Sequence, residues 1–160
     1  MRHIAILTVG RLKEQYLTAG VGEYLKRLTP YAKVELSQVE DESFPDNPST
    51  AERQKVREKE GMRLLNRLRP GTFLVALDEK GVSRSSEEMA GLLNELALAG
   101  RNDLTFVIGG SLGLSPNIIQ RSDLLLSFSK LTFPHQLFRL ILLEQLYRWF
   151  KISRGEPYHH

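Results

Sequence analysis

The sequence predicts an α/β protein whose mostly parallel sheet is flanked by helices. Short runs rich in β-branched residues alternate with helical patterns along the chain, and helix-start signals fall in the gaps between these runs. A length of 160 residues with 41% hydrophobic content suits one compact domain over residues 1–160. We therefore expect a single α/β domain.

The individual elements follow from local signals. Ser49 and Ser85 each stand three residues before a glutamate, the capping-box pattern, and Ser115-Pro116 supplies an N-cap followed by proline at the first helical position. These signals predict helices between the later strands. The five predicted strands are His3–Val9, Val34–Val39, Thr72–Leu77, Leu104–Ile108 and Leu124–Phe128.

The last predicted helix, from about His135 to Ile152, has apolar residues all round it. A helix that is apolar on every side must be buried on every side. We expect a symmetric homodimer that packs this helix against its mate, because one chain of this size has few elements to cover both of its faces. The alternative is a central helix buried within one subunit.

Composition limits the function classes. No cysteine is present, the four histidines lack zinc-like spacing, and we expect no metal site. The longest apolar stretch, Leu137–Phe150, contains charged residues and is shorter than the roughly 20 residues a bilayer requires. The amino-terminal residues lack a signal-peptide pattern. We expect a cytoplasmic protein without a membrane or DNA partner.

Positive charge is concentrated between residues 51 and 70. This segment has a local excess of four basic over acidic residues and offers either a solvated helix face or a contact for the RNA backbone. Arg11 and Lys13, after the first strand, are further candidates for RNA contact. The basic residues of the segment are Arg53, Lys55, Arg57, Lys59, Arg63, Arg67 and Arg69.

Three segments with unusual chemistry follow predicted strands. They are Leu77–Gly81 (LDEKG), the glycine-rich stretch Ile108–Ser115 (IGGSLGLS) and Ser127–His135 (SFSKLTFPH). In an open α/β sheet, ligands bind beyond the carboxyl ends of the strands, so three such segments suggest one pocket. The glycine-rich stretch follows the fourth strand and matches neither a Rossmann fingerprint nor a P-loop.

Taken in order with EQLYR in the last helix and the terminal PYH, these motifs resemble the large-subunit (23S) ribosomal RNA pseudouridine N3-methyltransferases of the SPOUT superfamily. The resemblance spans nearly the whole chain. It implies a SPOUT-type α/β fold with a carboxyl-terminal trefoil knot over about residues 72–160, which general folding rules would not predict. It also implies S-adenosylmethionine as cofactor and ribosomal RNA in the large subunit or assembled ribosome as partner.

Carried over residue by residue, the resemblance assigns the cofactor to Leu77, Gly109, Gly110, Ser129, Lys130, Leu131, Thr132, Phe133 and Pro134. The reaction, methyl transfer to a protonated ring nitrogen, requires a base or a setting that favours the anion. His135, Tyr158 and His159 are the candidate catalytic residues, with Arg154 or Arg139 as a source of positive charge. We expect the tail to close over the target base, in its own or the partner subunit's site.

Three alternatives stay open at this point. A SPOUT methyltransferase acting on another RNA, such as transfer RNA, would share the cofactor site. A non-enzymatic ribosome or RNA-binding protein would explain the basic segment but not three convergent strand-end segments. A flavodoxin-like nucleotide-binding regulator would explain the alternating elements but requires a phosphate loop after the first strand, which is absent.

Overall fold

The computed structural model describes all residues 1–160 and contains five strands and five helices. All strand pairs are parallel, in the order β2-β1-β4-β3-β5. The predicted α/β class is confirmed. The elements are β1 (Arg2–Val9), α1 (Gln15–Leu28), β2 (Ala32–Val39), α2 (Thr50–Leu65), β3 (Phe73–Ser83), α3 (Ser86–Leu98), β4 (Asp103–Ile108), α4 (Pro116–Arg121), β5 (Leu124–Ser127) and α5 (His135–Ser153).

Both faces of the sheet are buried, as parallel strands joined by helices require. In β1 the side chains of Ile4 and Ile6 belong to the larger apolar core, and those of Leu7 and Val9 belong to the smaller one. This split reflects the two-residue period of a strand. Helices α1, α3 and α5 cover the first face, and α2 and α4 cover the second.

The helix starts read from the sequence are confirmed. The side chains of Ser49 and Ser85 each accept a hydrogen bond from the backbone N–H three residues on. The side chains of Glu52 and Glu88 in turn accept the backbone N–H of Ser49 and of Ser85, which completes two capping boxes. Ser115 accepts from the N–H of Ile118. Local capping chemistry therefore fixes the amino termini of α2, α3 and α4.

Strand β3 differs from the prediction, which placed a loop at Leu77–Gly81. The strand continues to Ser83, with a shift of register against β5 between Leu77 and Val82. A Cβ on Gly81 would lie 2.5 Å from the carbonyl oxygen of Leu125, so only glycine lets the two backbones approach here. The expected loop is thus an irregular strand end.

Helix α5 is the middle helix of its layer, with α1 and α3 on either side and the sheet beneath. The argument that one chain lacks the elements to cover this helix holds only in part, because α1 and α3 cover its sides whereas Leu137, Leu140 and Ile141 stay half-buried. Leu142, Leu143, Leu146 and Trp149 are all buried within the single chain. The homodimer stays a prediction that no longer rests on this burial.

None of the five helices is both long enough and apolar enough to cross a bilayer. The trefoil knot over about residues 72–160 also stays a prediction. The strand order is compatible with it, since β3 lies between β4 and β5 although the chain visits β4 before β5.

Candidate active site

The three strand-end segments meet in one cavity of about 960 Å³ at the carboxyl ends of β3, β4 and β5. A cavity of this size is within the range that holds a cofactor. Eight of the nine predicted cofactor residues line it; Lys130 alone does not. The lining residues from the prediction are Leu77, Gly109, Gly110, Ser129, Leu131, Thr132, Phe133 and Pro134.

The glycine-rich loop after β4 leaves backbone donors free. Its one internal backbone bond runs from the N–H of Gly113 to the carbonyl of Gly110, 3.0 Å away, and Gly113 has a φ of 90° that favours glycine. The N–H groups of Ser111 and Leu112 have no acceptor within the chain. The loop therefore presents two unpaired donors at the edge of the cavity.

The loop between β5 and α5 has the same character. The N–H of Leu131 donates to Ser129 Oγ at 2.9 Å, whereas those of Thr132 and Phe133 have no acceptor within the chain. Phe133 packs against Phe138 with ring centroids 5.7 Å apart. Backbone donors beside apolar rings suit a ligand with both polar edges and a flat apolar part.

The floor of the cavity is apolar. Leu77 in β3, Ile108 at the end of β4 and Leu126 in β5 line it and are almost completely buried. Phe128 stands over them and packs against Phe138 at a centroid distance of 4.9 Å. A ring system placed on this floor would lose contact with water on one face.

His135 is the first residue of α5 and lines the same cavity, half buried. Burial, and next the positive charge of Arg139, lower the pKa of His135 below its usual 6.5, while Asp41 opposes this. The imidazole is therefore neutral at pH 7 and can accept a proton.

Arg139 lies one helical turn after His135 and is 1% exposed. Its guanidinium donates to the carbonyls of Val9 and Gly10, at 2.9 and 2.8 Å, and to Gln38 Oε1 at 2.9 Å. Arg139 is absent from the cavity lining. The suggestion that it supplies a positive charge to the tail is not supported, since these bonds hold it against the ends of β1 and β2.

The tail packs on the outer side of α5 and does not line the cavity of its own chain. Tyr158 Oη lies 3.3 Å from Tyr24 Oη, and burial together with this contact raises the pKa of Tyr158 to about 12. Tyr158 is therefore protonated at neutral pH and acts as a donor rather than a base. Arg154, also in the tail, lies over the ring of Tyr31, 4.6 Å from its centroid.

His159 makes two contacts. Its Nδ1 is 3.0 Å from Arg148 Nη1 and its Nε2 is 2.7 Å from Glu87 Oε1. Because arginine only donates, Nδ1 must accept and the Nε2 proton points to Glu87. His159 is thus engaged on its own subunit and does not reach the cavity in which His135 lies.

The basic segment is divided by its contacts. Arg63 pairs with Glu42 at 2.7 Å, and Arg69 lies within 3.5 Å of both Glu35 and Asp103. Arg53 and Arg57 instead line the cavity. Lys55, Lys59 and Arg67 are exposed without ion pairs. The net positive surface therefore lies along α2 next to the cavity rather than over the whole segment.

Two residues near the cavity were missed by sequence reasoning. Phe138 lies three positions after His135, and this helical spacing would have identified it as part of the same wall. Glu60 lies buried behind Gly110, and nothing in the sequence distinguishes it from the solvated acids of the same helix.

Comparison with known proteins identifies the family of this chain. A family described as "Predicted SPOUT methyltransferase" matches residues 2–159. The chain is 66% identical over 160 residues, 100% of both chains, to the "Ribosomal RNA large subunit methyltransferase H" of Pelotomaculum thermopropionicum. It is 60% identical over 159 residues, 99% of both chains, to the protein of that name from Desulforamulus reducens.

A crystal structure of a probable methyltransferase from Bordetella pertussis Tohama I resembles this fold with a TM-score of 0.53, at 18% identity, over 92% of this chain and 95% of that one. At this identity the likeness concerns the fold alone. The match to the family over almost the full length is what assigns the protein: the chain belongs to the SPOUT methyltransferase family.

Proposed function

We propose that this protein transfers a methyl group from S-adenosylmethionine to N3 of a pseudouridine in large-subunit ribosomal RNA, in the cytoplasm. The observation that carries the proposal is the single cavity in which three strand-end segments combine apolar walls, unpaired backbone donors and a neutral histidine. Relatives up to 66% identical bear the name of a ribosomal RNA large subunit methyltransferase, which supports the substrate class.

The residues of the cavity fit the cofactor. Leu77, Gly109, Gly110 and the Ser129–Pro134 loop would hold it, with the apolar floor under the adenine and the free N–H groups facing its polar edges. When bound, S-adenosylmethionine supplies an electrophilic methyl group on a positively charged sulfur. Because the donors are backbone groups on fixed strand ends, they need little reorganisation on binding.

His135 is the proposed base. N3 of a pseudouridine carries a proton and attacks the methyl group well only after that proton is lost. His135 is the only histidine among the cavity residues, and its lowered pKa keeps the ring nitrogen free to accept the proton. Arg53 and Arg57, on the same rim, would hold phosphates of the RNA backbone.

The proposed enzyme is a homodimer in which the tail of one subunit completes the cavity of the other. Tyr158 and His159 do not line the cavity of their own chain, which supports a role in the partner's site. In that arrangement the phenol of Tyr158 would act as a hydrogen-bond donor to the target base, since a phenol keeps its proton at neutral pH.

The experiment is transfer of labelled methyl from S-adenosylmethionine to unmethylated ribosomes, separated subunits, free ribosomal RNA and transfer RNA. We expect label in large-subunit RNA, and digestion to nucleosides should place it on pseudouridine N3. Label in transfer RNA would instead identify a methyltransferase of different substrate. A folded protein that labels none of these RNAs would contradict the proposal.

A further inference from the structure

Glu60, in α2, is a buried carboxyl group that no step above uses. Its residue is 3% exposed, and Oε2 accepts the backbone N–H of Glu42 at 2.9 Å. The other oxygen, Oε1, is buried and has no hydrogen-bond partner. A buried polar atom without a partner is destabilising, so its retention calls for a physical reason.

The surroundings of Glu60 leave its charge poorly compensated. Burial raises the pKa of Glu60 above its usual value; the hydrogen bond from the backbone N–H of Glu42 opposes this, and the carboxylates of Asp41 and Glu42 add to it. Arg63 opposes them, but its guanidinium is engaged by Glu42 Oε1 and by the carbonyl of Glu40. No ion pair of Glu60 itself is formed.

The free oxygen faces the glycine-rich loop from behind. A Cβ built on Gly110 would lie 3.0 Å from Glu60 Oε1 and 3.1 Å from Val9 Cγ1. The absence of a side chain at Gly110 therefore leaves the space that the Glu60 carboxyl group occupies. Gly110 lines the cavity on its other side. Only the backbone of the loop therefore separates Glu60 from the space proposed for the cofactor.

Helix α2 contacts this loop at two further points. Arg57 Nη1 donates to the carbonyl of Leu112 at 3.3 Å, and Gly61 is so close to Ser115 that a Cβ on Gly61 would overlap Ser115 Oγ. Helix α2 therefore contacts the loop at Leu112 and at its end, Ser115, and has no hydrogen bond to it at Gly110. The two unpaired donors of the loop, the N–H groups of Ser111 and Leu112, lie in the same stretch.

We propose that Glu60 is a positioning residue for the cofactor: its free oxygen accepts a backbone N–H of the Gly110–Leu112 stretch when that stretch closes on S-adenosylmethionine. One donor of the loop would then pair with the unpaired acceptor behind it, and the other donor would remain for the cofactor, together with the N–H groups of Thr132 and Phe133. Glu60 touches neither cofactor nor RNA, and it acts through the loop. This inference rests on the cofactor site proposed above.

The test compares Glu60→Leu with Glu60→Gln, and Glu58→Gln serves as a control because Glu58 is exposed on the same helix. A hydrogen bond to a charged acceptor contributes about 1.5–3 kcal/mol, so Glu60→Leu should raise the KM for S-adenosylmethionine and its Kd by roughly tenfold or more. The kcat at saturating cofactor and the KM for RNA should stay within about twofold of the wild-type values, which is the usual variation among substitutions without a functional effect.

The conservative variant separates positioning from bulk packing. Glu60→Gln keeps the size of the side chain but has one acceptor oxygen for the N–H groups of Glu42 and of the loop, so this variant should recover part of the affinity for the cofactor that Glu60→Leu loses. A purely structural Glu60 would instead lower kcat through a smaller folded fraction and leave KM unchanged. That pattern, or an unchanged Kd in Glu60→Leu, would overturn the proposal.

A double-mutant cycle with Gly110 gives a second test. Gly110→Ala should weaken cofactor binding because its methyl group displaces Glu60, so the loss in the double variant Gly110→Ala/Glu60→Ala should be smaller than the sum of the two single losses. Losses that simply add would show that the two residues act independently and would overturn the proposal.

Calorimetric binding of S-adenosylmethionine needs no RNA, so the two proposals fail differently. Wild-type protein that binds the cofactor but labels no ribosomal RNA contradicts the proposed substrate alone, and the Glu60 variants remain decisive. Normal binding by Glu60→Leu contradicts the positioning role alone. Wild-type protein that does not bind the cofactor overturns both.

Discussion

Replacing Arg139 with methionine tests how the ends of β1 and β2 are held beside the cavity. The change keeps an unbranched apolar stem but removes the guanidinium, which leaves the carbonyls of Val9 and Gly10, and Gln38 Oε1, without their donor. The two bonds to Val9 and Gly10 are buried, and each acceptor left unpaired costs about 1–3 kcal/mol, or roughly 2–6 kcal/mol together.

Part of that loss is offset. Burial lowers the pKa of Arg139, which shows that burying the guanidinium opposes folding, and its Nε has no partner. A methionine removes this opposing contribution, so we expect a net decrease of about 2–4 kcal/mol in the free energy of unfolding.

Urea unfolding measures this decrease through the fluorescence of Trp149, the one tryptophan of the chain, which is buried on the same helix. Protein concentration must be equal for all variants, because a dimer would make stability depend on it. Arg67→Met, at an exposed position, is the matched control and should change the free energy by less than about 0.5 kcal/mol. If the free energy of unfolding of Arg139→Met fell by less than about 1 kcal/mol, the three hydrogen bonds of Arg139 would not account for the stability of these strand ends.

Three further predictions concern packing, proton transfer and the tail. Gly61→Ala should destabilise the protein by about 1–3 kcal/mol because its methyl group overlaps Ser115. Gly91→Ala, which has open space around it, should stabilise the protein by about 0.5–1 kcal/mol. Thermal unfolding of both variants checks this pair, and similar melting temperatures would contradict it. His135→Gln should abolish methyl transfer. In the wild type kcat should fall only below pH 6.5, because the lowered pKa keeps His135 neutral above it, and the same protonation should destabilise the fold as the pH falls from 6.5; unchanged turnover by His135→Gln would rule out His135 as the base. Deleting residues 157–160 should abolish methyl transfer but leave the calorimetric Kd for S-adenosylmethionine unchanged; full turnover by the truncated protein would exclude a role for the tail.

Much of the fold follows from local chemistry. The two capping boxes and Ser115-Pro116 predict three helix starts because caps depend on residues within one turn. The extension of β3 to Ser83 was not predictable, since it depends on Gly81 meeting the backbone of Leu125 in a distant strand. The cover of α5 by α1 and α3 also depends on the strand order, which periodicity does not encode.

The sequence predicted the part of the site that is formed by backbone groups at the ends of the strands. Glycine-rich and proline-ended segments after β4 and β5 identified the cavity walls, because such segments expose N–H groups whatever the tertiary context. The position of the tail was not predictable, because Tyr158 and His159 bind Tyr24, Arg148 and Glu87 through contacts between distant parts of the chain. Glu60 was missed for the same reason.

Whether the strand-end cavity holds S-adenosylmethionine is tested most directly by titrating the isotope-labelled protein with this cofactor and following the backbone amide resonances. We expect the largest shifts at the donors that are unpaired in the structure, Ser111, Leu112, Thr132 and Phe133, with smaller changes on the outer side of α2. Shifts centred on another surface, or none at saturating cofactor, would contradict the assignment of this cavity.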